Sequence, residues 1–291
     1  SEKSNVAIIG KSVLGKELYD YLSKHVKHVK IISRSEGITY DRETFKKLLK
    51  DSNIIIWTSG GYKNKRTIWE EHVNNLQELV NALHNNQRLI FTSSISVYGK
   101  KLTNVVKETH HIQPDTLYAK AKAKGEEIAI EHRNSTIFRL GLLYSHKYKG
   151  YQVMFSLVEK GFAIYFGDGN NNVPFTYIYD VLTCYKSAIE KKIKKIEIFN
   201  ITGKGCKQIE AINILAEVMQ KNPIYLRMPK CIGFFCDFFN CFLNSEAIHS
   251  ISSNRVINNK KAIKMLDFKE TSIHEGIKKE VEKWKEMKKK M

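Results

Sequence analysis

Five short apolar runs, at 6–9, 29–33, 53–58, 88–93 and 135–140, alternate with stretches whose apolar residues recur at helical spacing. After the first run, for example, Leu14, Leu18, Tyr21 and Leu22 fall on one side of a helix. Strand and helix in strict alternation predict an α/β fold with a Rossmann-type, doubly wound parallel sheet. A helix over Tyr179 to Ile189 and a strand over Glu197 to Ile201 are expected to return the chain to that sheet. The pattern divides the chain into a sheet domain over 1–144, with 175–201 rejoining it, and a smaller domain expected from 145–174 and 202–291. Ligands of such sheets bind at the carboxyl ends of the strands, where Gly10, Thr58 and Ser94 fall.

The first of these ends carries a turn suited to phosphate. The apolar run Val6 to Ile9 stops at Gly10, and Gly15 follows at the start of the helical pattern, giving G-x-G-x-x-G with Ser12 in the middle place. Such a turn needs small residues so that a pyrophosphate can reach the free amides and positive dipole end of a helix. Serine keeps much of that approach and adds a hydroxyl. At the end of the second strand, where an NAD site usually has an acidic residue for the ribose hydroxyls, stand Ser33 and Arg34. A guanidinium matches a 2′-phosphate in shape and charge, and Lys11 adds a second cation, so the sequence favours NADP over NAD.

Ser94, Tyr118 and Lys122 offer the chemistry that a nicotinamide would need. Tyr118 and Lys122 lie four apart and project from one helical face, 24 positions after Ser94. A free phenol, with a pKa near ~10, is a poor acid or base at neutral pH. An ammonium beside it favours the phenolate and brings the proton into play. Ser94 is then placed to hold a carbonyl or alcohol oxygen.

The chain resembles the extended branch of the short-chain dehydrogenase/reductase superfamily, the NAD(P)-dependent epimerases, dehydratases and ketoreductases. The likeness rests on the glycine turn, Ser-Ser-x-x-Val-Tyr-Gly from Ser93 to Gly99, Tyr-x-x-x-Lys followed by Glu126, and the Arg139 strand. It continues through GDGNNNVPFTYIYDV (167–181), FNITG (199–203) and NNKKAIKMLDFK (258–269). The resemblance implies that Tyr118 is the acid/base, that Lys122 holds the nicotinamide ribose, and that Ser94 orients the substrate oxygen. It implies a pyrophosphate lined by Gly10, Lys11, Ser12, Val13, Leu14 and Gly15, with Arg34 at the adenosine ribose. Asp41 matches the aspartate near the adenine, and Thr58 and Ser59 match small residues ending what the family counts as its fourth strand. Glu126, one turn beyond Lys122, is read as that lysine's salt-bridge partner.

Departures from the family pattern bear on the substrate. Leu142 stands where sugar-nucleotide members usually have Asn, Val173-Pro174 where they have a diphosphate-binding Arg, and Tyr144-Ser145-His146 replaces Tyr-Gly-Pro. Two missing ligands point to a smaller or more apolar carbonyl compound or secondary alcohol. The expectation is therefore an NADP-dependent ketoreductase or alcohol dehydrogenase. A nucleotide-sugar epimerase, dehydratase or 4-keto-sugar reductase is the alternative within enzymes. A non-enzymatic NADP sensor, or an RNA-binding or assembly-factor relative, is the alternative outside them, disfavoured by the intact Ser94, Tyr118 and Lys122.

Composition modifies this only slightly. The formal charge of +18 comes from forty lysines and eight arginines spread along the chain, whereas nucleic-acid readers concentrate them on one face. A nucleic-acid partner is not favoured, although the positive field would speed capture of an anionic ligand. The five cysteines form no C-x-x-C and no shared helical face, so they are read as reduced thiols of a cytoplasmic protein, and no metal is assigned. Ser1 to Ser4 read as a short polar leader, and no 18-residue apolar run or secretory segment follows. The apolar stretch CIGFFCDFFNCFLN (231–244) leaves three readings open: a wall of the substrate pocket, an interfacial helix making peripheral membrane contact, or a core or homodimer contact.

Overall fold

The computed structural model describes residues 4–61, 66–100, 102, 104–191, 193, 196–232 and 245–290. Both faces of its central sheet are buried, which explains why the strand sequences are almost uninterruptedly apolar. In β1 (Asn5–Ile9), Val6 and Ile8 point into one core cluster and Ala7 and Ile9 into another. In β3 (Ile54–Trp57), Ile54 and Ile56 join the first cluster, and Ile55 and Trp57 the second. With β2 (His28–Ile32), β4 (Arg88–Ser94), β5 (Ser135–Leu140) and β10 (Glu197–Ile201), they form a parallel sheet in the order β10-β5-β4-β3-β1-β2. The order reverses between the neighbouring strands β1 and β3, and this is where open α/β sheets bind their ligands.

Helices cover each face according to their apolar stripes. On one side α1 (Val13–Leu22) contributes Leu14, Leu18 and Leu22, and α6 (Ile178–Glu190) contributes Ile178, Val181 and Tyr185. On the other lie α2 (Arg42–Leu49) with Phe45 and Leu49, α3 (Asn75–Ala82) with Leu76 and Leu79, and α4 (Leu117–Glu131) with Ala121 and Ile128. A π-helical turn, Glu70–Asn74, runs directly into α3.

A third apolar cluster is built from the segments beyond β5. Short strands β6 (Leu142–Tyr144) and β9 (Phe175–Tyr177) pair in parallel, as do β7 (Phe162–Phe166) and β12 (Ile224–Met228). Antiparallel β8 (Asn172–Val173) and β11 (Cys206–Lys207) complete the set. Helices α5 (Lys149–Glu159), α7 (Gln208–Val218) and α10 (Ile273–Lys289) pack Phe155, Val158, Ile212, Leu215 and Trp284 together. Between them α8 (Ser245–Ser252) flanks the pairs formed by β7 and β8, and α9 (Lys260–Leu266) goes back to the main sheet, burying Ala262 and Leu266 in the first cluster. The stretch 231–244 lies outside the described residues except for Cys231 and Ile232. Among the described residues, no helix is long and apolar enough to cross a membrane.

One buried ion pair crosses the second layer. Arg139, on β5, meets Glu126 of α4 in a fork, with Nε 2.9 Å from Oε1 and Nη2 2.6 Å from Oε2. Ser93 donates to the same carboxylate at 2.5 Å, and Tyr98 accepts from Arg139 Nη1 at 2.8 Å while donating to Asn200 at 2.7 Å. The sequence reading of Glu126 as the partner of Lys122 is thus corrected. Strand register puts Arg139 level with Ser93, directly over Glu126, and a bidentate guanidinium outcompetes an ammonium for one carboxylate. Arg139→Met should destabilise the fold by about 3–5 kcal/mol because it strands a buried carboxylate. Chemical denaturation should show Arg139→Met/Glu126→Met recovering most of that loss.

Candidate active site

The glycine turn has the geometry that a dinucleotide requires. Gly10 adopts φ +110°, and a Cβ there would sit 2.6 Å from the backbone of Ser59. A Cβ on Gly15 would fall 2.1 Å from the Gly10 carbonyl and 2.9 Å from the Thr58 hydroxyl, so helix and strand approach as only glycine permits. Thr58 holds this corner by donating to the carbonyls of Ile9 and Gly10, each at 3.1 Å. Ser12 caps α1, its hydroxyl accepting the Gly15 amide at 3.1 Å. The cradle fits a pyrophosphate at the amino end of a ten-residue helix. Val13 and Leu14 can contribute only backbone amides, since the Leu14 side chain is buried in the core and Val13 packs against it. Thr58 and Ser59 directly follow β3.

The side expected to face the adenosine is more acidic than the sequence suggested. Arg34 donates to Glu71 at 2.8 Å, lies 3.7 Å from Glu70, and stacks over Tyr40 at 5.7 Å. Lys11 donates to Glu36 at 2.8 Å. Both cations offered for a 2′-phosphate are therefore already paired with carboxylates. Asp41 caps α2, accepting the Thr44 amide at 2.9 Å and the Thr44 hydroxyl at 2.8 Å. Those bonds hold its carboxyl below the usual range.

Ser94 ends β4, and Tyr118 and Lys122, the other two residues expected to carry the chemistry, lie on α4, which packs against that strand. Ser94 begins a 3₁₀ turn, Ile95–Tyr98, and its hydroxyl accepts the Ser96 amide at 3.1 Å, leaving its own hydrogen to give. Tyr118 and Lys122 lie one turn apart on α4, which Thr116 caps through the Ala119 amide. Lys122 is 3 % exposed, donates to the Thr92 carbonyl at 2.7 Å, and lies 5.4 Å from the Phe91 ring centre and 5.8 Å from that of Tyr118. Burial pulls its pKa down to about 7, against an opposing pull from Glu126. His72 is a member of the site that the sequence did not single out. The only cues were a histidine in an apolar helical stretch and the Gly60-Gly61 pair. Its ring stands edge-on to Tyr118 at 5.4 Å and 81°, and burial, with Lys122 beside it, drives its pKa to about 3.

Comparison with known proteins shows the family. The model of the NAD dependent epimerase/dehydratase family matches residues 9–202. The chain belongs to that family, and so to the enzymes of the extended short-chain dehydrogenase/reductase type. Among solved structures, UDP-glucuronic acid 4-epimerase from Bacillus cereus, in complex with UDP-glucuronic acid and NAD, is 19 % identical at a TM-score of 0.76, covering 97 % of this chain and 99 % of that one. UDP-glucose 4-epimerase from Thermotoga maritima, with UDP-glucose, is 17 % identical at 0.78 over 97 % and 99 %. The dTDP-glucose 4,6-dehydratase from Bacillus anthracis, in complex with NAD, is 16 % identical at 0.77 over 99 % and 98 %. These similarities concern the fold. An uncharacterized protein of Sinorhizobium fredii, y4nG, is 25 % identical over 169 residues, or 55 % of this chain, which spans 41 % of that relative's length.

The buried ammonium gives a prediction with a defined sign. The unfolded chain keeps the Lys122 proton up to pH ~10.5, whereas the folded chain releases it near 7. The unfolded state therefore binds more protons in that window, and this lysine makes stability rise with pH across it. At pH 7 and without dinucleotide, Lys122→Met should raise the melting temperature by at least ~2 °C while abolishing turnover. A lower melting temperature would show that the charge is not held against its solvation.

Proposed function

We propose that this enzyme oxidises and re-reduces a secondary alcohol on a nucleotide sugar, as an epimerase or dehydratase does, with Tyr118 carrying the proton. The observation that carries the reading is the Lys122 ammonium, buried one turn from Tyr118 and bonded to the Thr92 carbonyl near the carboxyl end of β4, at the same end of the sheet as the Gly10–Gly15 cradle. The nicotinamide, when bound, supplies the carbon that gives and accepts hydride. The chain supplies the rest. Ser94 donates its hydroxyl hydrogen to the substrate oxygen and fixes it in line with Tyr118. Lys122, with its positive charge barely screened, stabilises the phenolate as the proton moves. The nucleotide-sugar part of the proposal is supported by the substrates named for the structural neighbours, which the ketoreductase expectation does not share.

NAD is the cofactor best supported. A 2′-phosphate would have to compete with Glu71 at Arg34 and with Glu36 at Lys11, and Glu70 adds a third carboxylate beside Arg34. The NADP expectation treated both cations as unpaired. NAD also appears with the solved neighbours. A second reading, reduction of a smaller apolar carbonyl compound, is favoured by one observation. Leu142 and Pro174, at the two places where diphosphate ligands were expected, lie side by side, the Leu142 amide donating to the Pro174 carbonyl at 3.1 Å.

Two experiments test these proposals. Tyr118→Phe should leave dinucleotide affinity near wild type and lower turnover by roughly 10²–10⁴-fold, because only the proton path is lost; unchanged turnover would remove Tyr118 from the mechanism. Incubation with UDP-glucose, UDP-glucuronic acid or dTDP-glucose, followed by NMR of the sugar ring, should show conversion with no net consumption of cofactor. Stoichiometric oxidation of NADH or NADPH by simple ketones, with nucleotide sugars untouched, would transfer the function to the second reading.

A further inference from the structure

The turn that follows β3 is gripped at both of its backbone groups by two adjacent side chains. The Gly61 amide donates to Glu71 Oε2 at 3.1 Å, and the Gly61 carbonyl accepts from His72 Nε2 at 3.0 Å. Since the carbonyl can only accept, Nε2 carries the hydrogen and Nδ1 keeps a bare lone pair. Nδ1 is buried and finds no donor among the described residues. It is pressed against Gly60, whose φ is +97° and on which a Cβ would lie 2.4 Å from Cε1 and 2.6 Å from Nδ1 of the imidazole. Glu71 also takes the Arg34 guanidinium at 2.8 Å and the Thr67 hydroxyl at 3.1 Å through its other oxygen. On its far side, the His72 ring meets the Tyr118 ring edge-on. Consecutive side chains reach the same glycine because they sit in a wide π turn, Glu70–Asn74. Such turns are rare and are found disproportionately at functional sites.

A histidine used only to fill the core would be poorly chosen, because a buried nitrogen without a donor costs stability that a phenyl ring would not. We infer that Glu71 and His72 form a two-point clamp on Gly61, with His72 as a positioning residue that sets Tyr118 against the cofactor-side turn. The clamp ties three parts of the reaction together: Arg34 at the adenosine end, the Gly60–Gly61 turn, and the tyrosine that moves the proton. The inference rests on the role proposed for Tyr118. Its physical content is that His72 supplies a hydrogen-bond donor to Gly61 and a wall to Tyr118, and never a charge.

His72→Phe keeps the ring against Tyr118 and loses the donor to Gly61. It should keep or raise the melting temperature, weaken dinucleotide affinity, and lower kcat at saturation by roughly 10–100-fold, the cost of a reacting group displaced by about an ångström. His72→Gln can still donate to Gly61 and should recover most of the lost kcat. Wild-type kcat and dinucleotide affinity in His72→Phe would overturn the clamp, as would a glutamine variant no better than phenylalanine. If His72→Phe does not fold, Glu71→Ala opens the other half of the grip; reduced kcat at saturating dinucleotide supports the clamp, and unchanged kcat overturns it. The dinucleotide affinity of His72→Phe is also measured in the Tyr118→Phe background. A loss that persists there supports the clamp whatever the fate of the Tyr118 assignment, and a loss that vanishes there overturns it.

Discussion

A positive charge kept out of water at Lys122 is the constraint around which the site is arranged. Transferring an ammonium from water to the interior is costly, and a fold accepts that cost only where neighbours recover part of it. Here the Thr92 carbonyl, the faces of Phe91 and Tyr118, and the nearby Glu126 do so. The remaining tension is functional. A charge so weakly compensated responds strongly to a phenolate one helical turn away. Glu126 cannot satisfy it fully, because its carboxylate is already held by Arg139 and Ser93. The buried pair that fastens α4 to β4 and β5 thus also leaves Lys122 partly unpaired beside Tyr118.

The sheet puts this charge where it is useful. Parallel strands need crossover helices, and the crossovers gather the carboxyl ends of β1, β3 and β4 along one edge. Gly10, Thr58 and Ser94 stand at those three ends, so the phosphate cradle and the proton-transfer group share one rim. Close approach at Gly10 and Gly15 brings α1 against β1, and the hydroxyl of Thr58 locks that corner.

Much of this was legible in the sequence, for identifiable reasons. Strands buried on both faces announce themselves as apolar runs, and the expected strand over Glu197 to Ile201 coincides with β10. The helix expected over Tyr179 to Ile189 is α6, one residue longer at each end. Tyr118, Lys122 and Ser94 were visible because their spacing obeys helix geometry and strand order. Pairings between distant residues were not visible. Glu126 was given to Lys122 because one turn separates them, but the cross-strand neighbour Arg139 takes it. Arg34 and Lys11 looked like unpaired cations because Glu71 lies 37 positions from the first and Glu36 lies 25 from the second. Asp41, expected near the adenine, also caps α2, a role that any aspartate before a helical run can take. His72 had only weak local cues, since its contacts are with the Gly61 carbonyl eleven residues earlier and with Tyr118 on a helix that begins at Leu117.

Titration of the wild-type protein with NADH and NADPH, followed by nucleotide fluorescence, tests the central claim most directly. The account predicts saturable binding of NADH, tighter than that of NADPH, because the cations on the adenosine rim are already satisfied by glutamates. Absence of binding by either dinucleotide would contradict it, since the cradle at Gly10 and the buried charge at Lys122 would then serve no reaction of this kind.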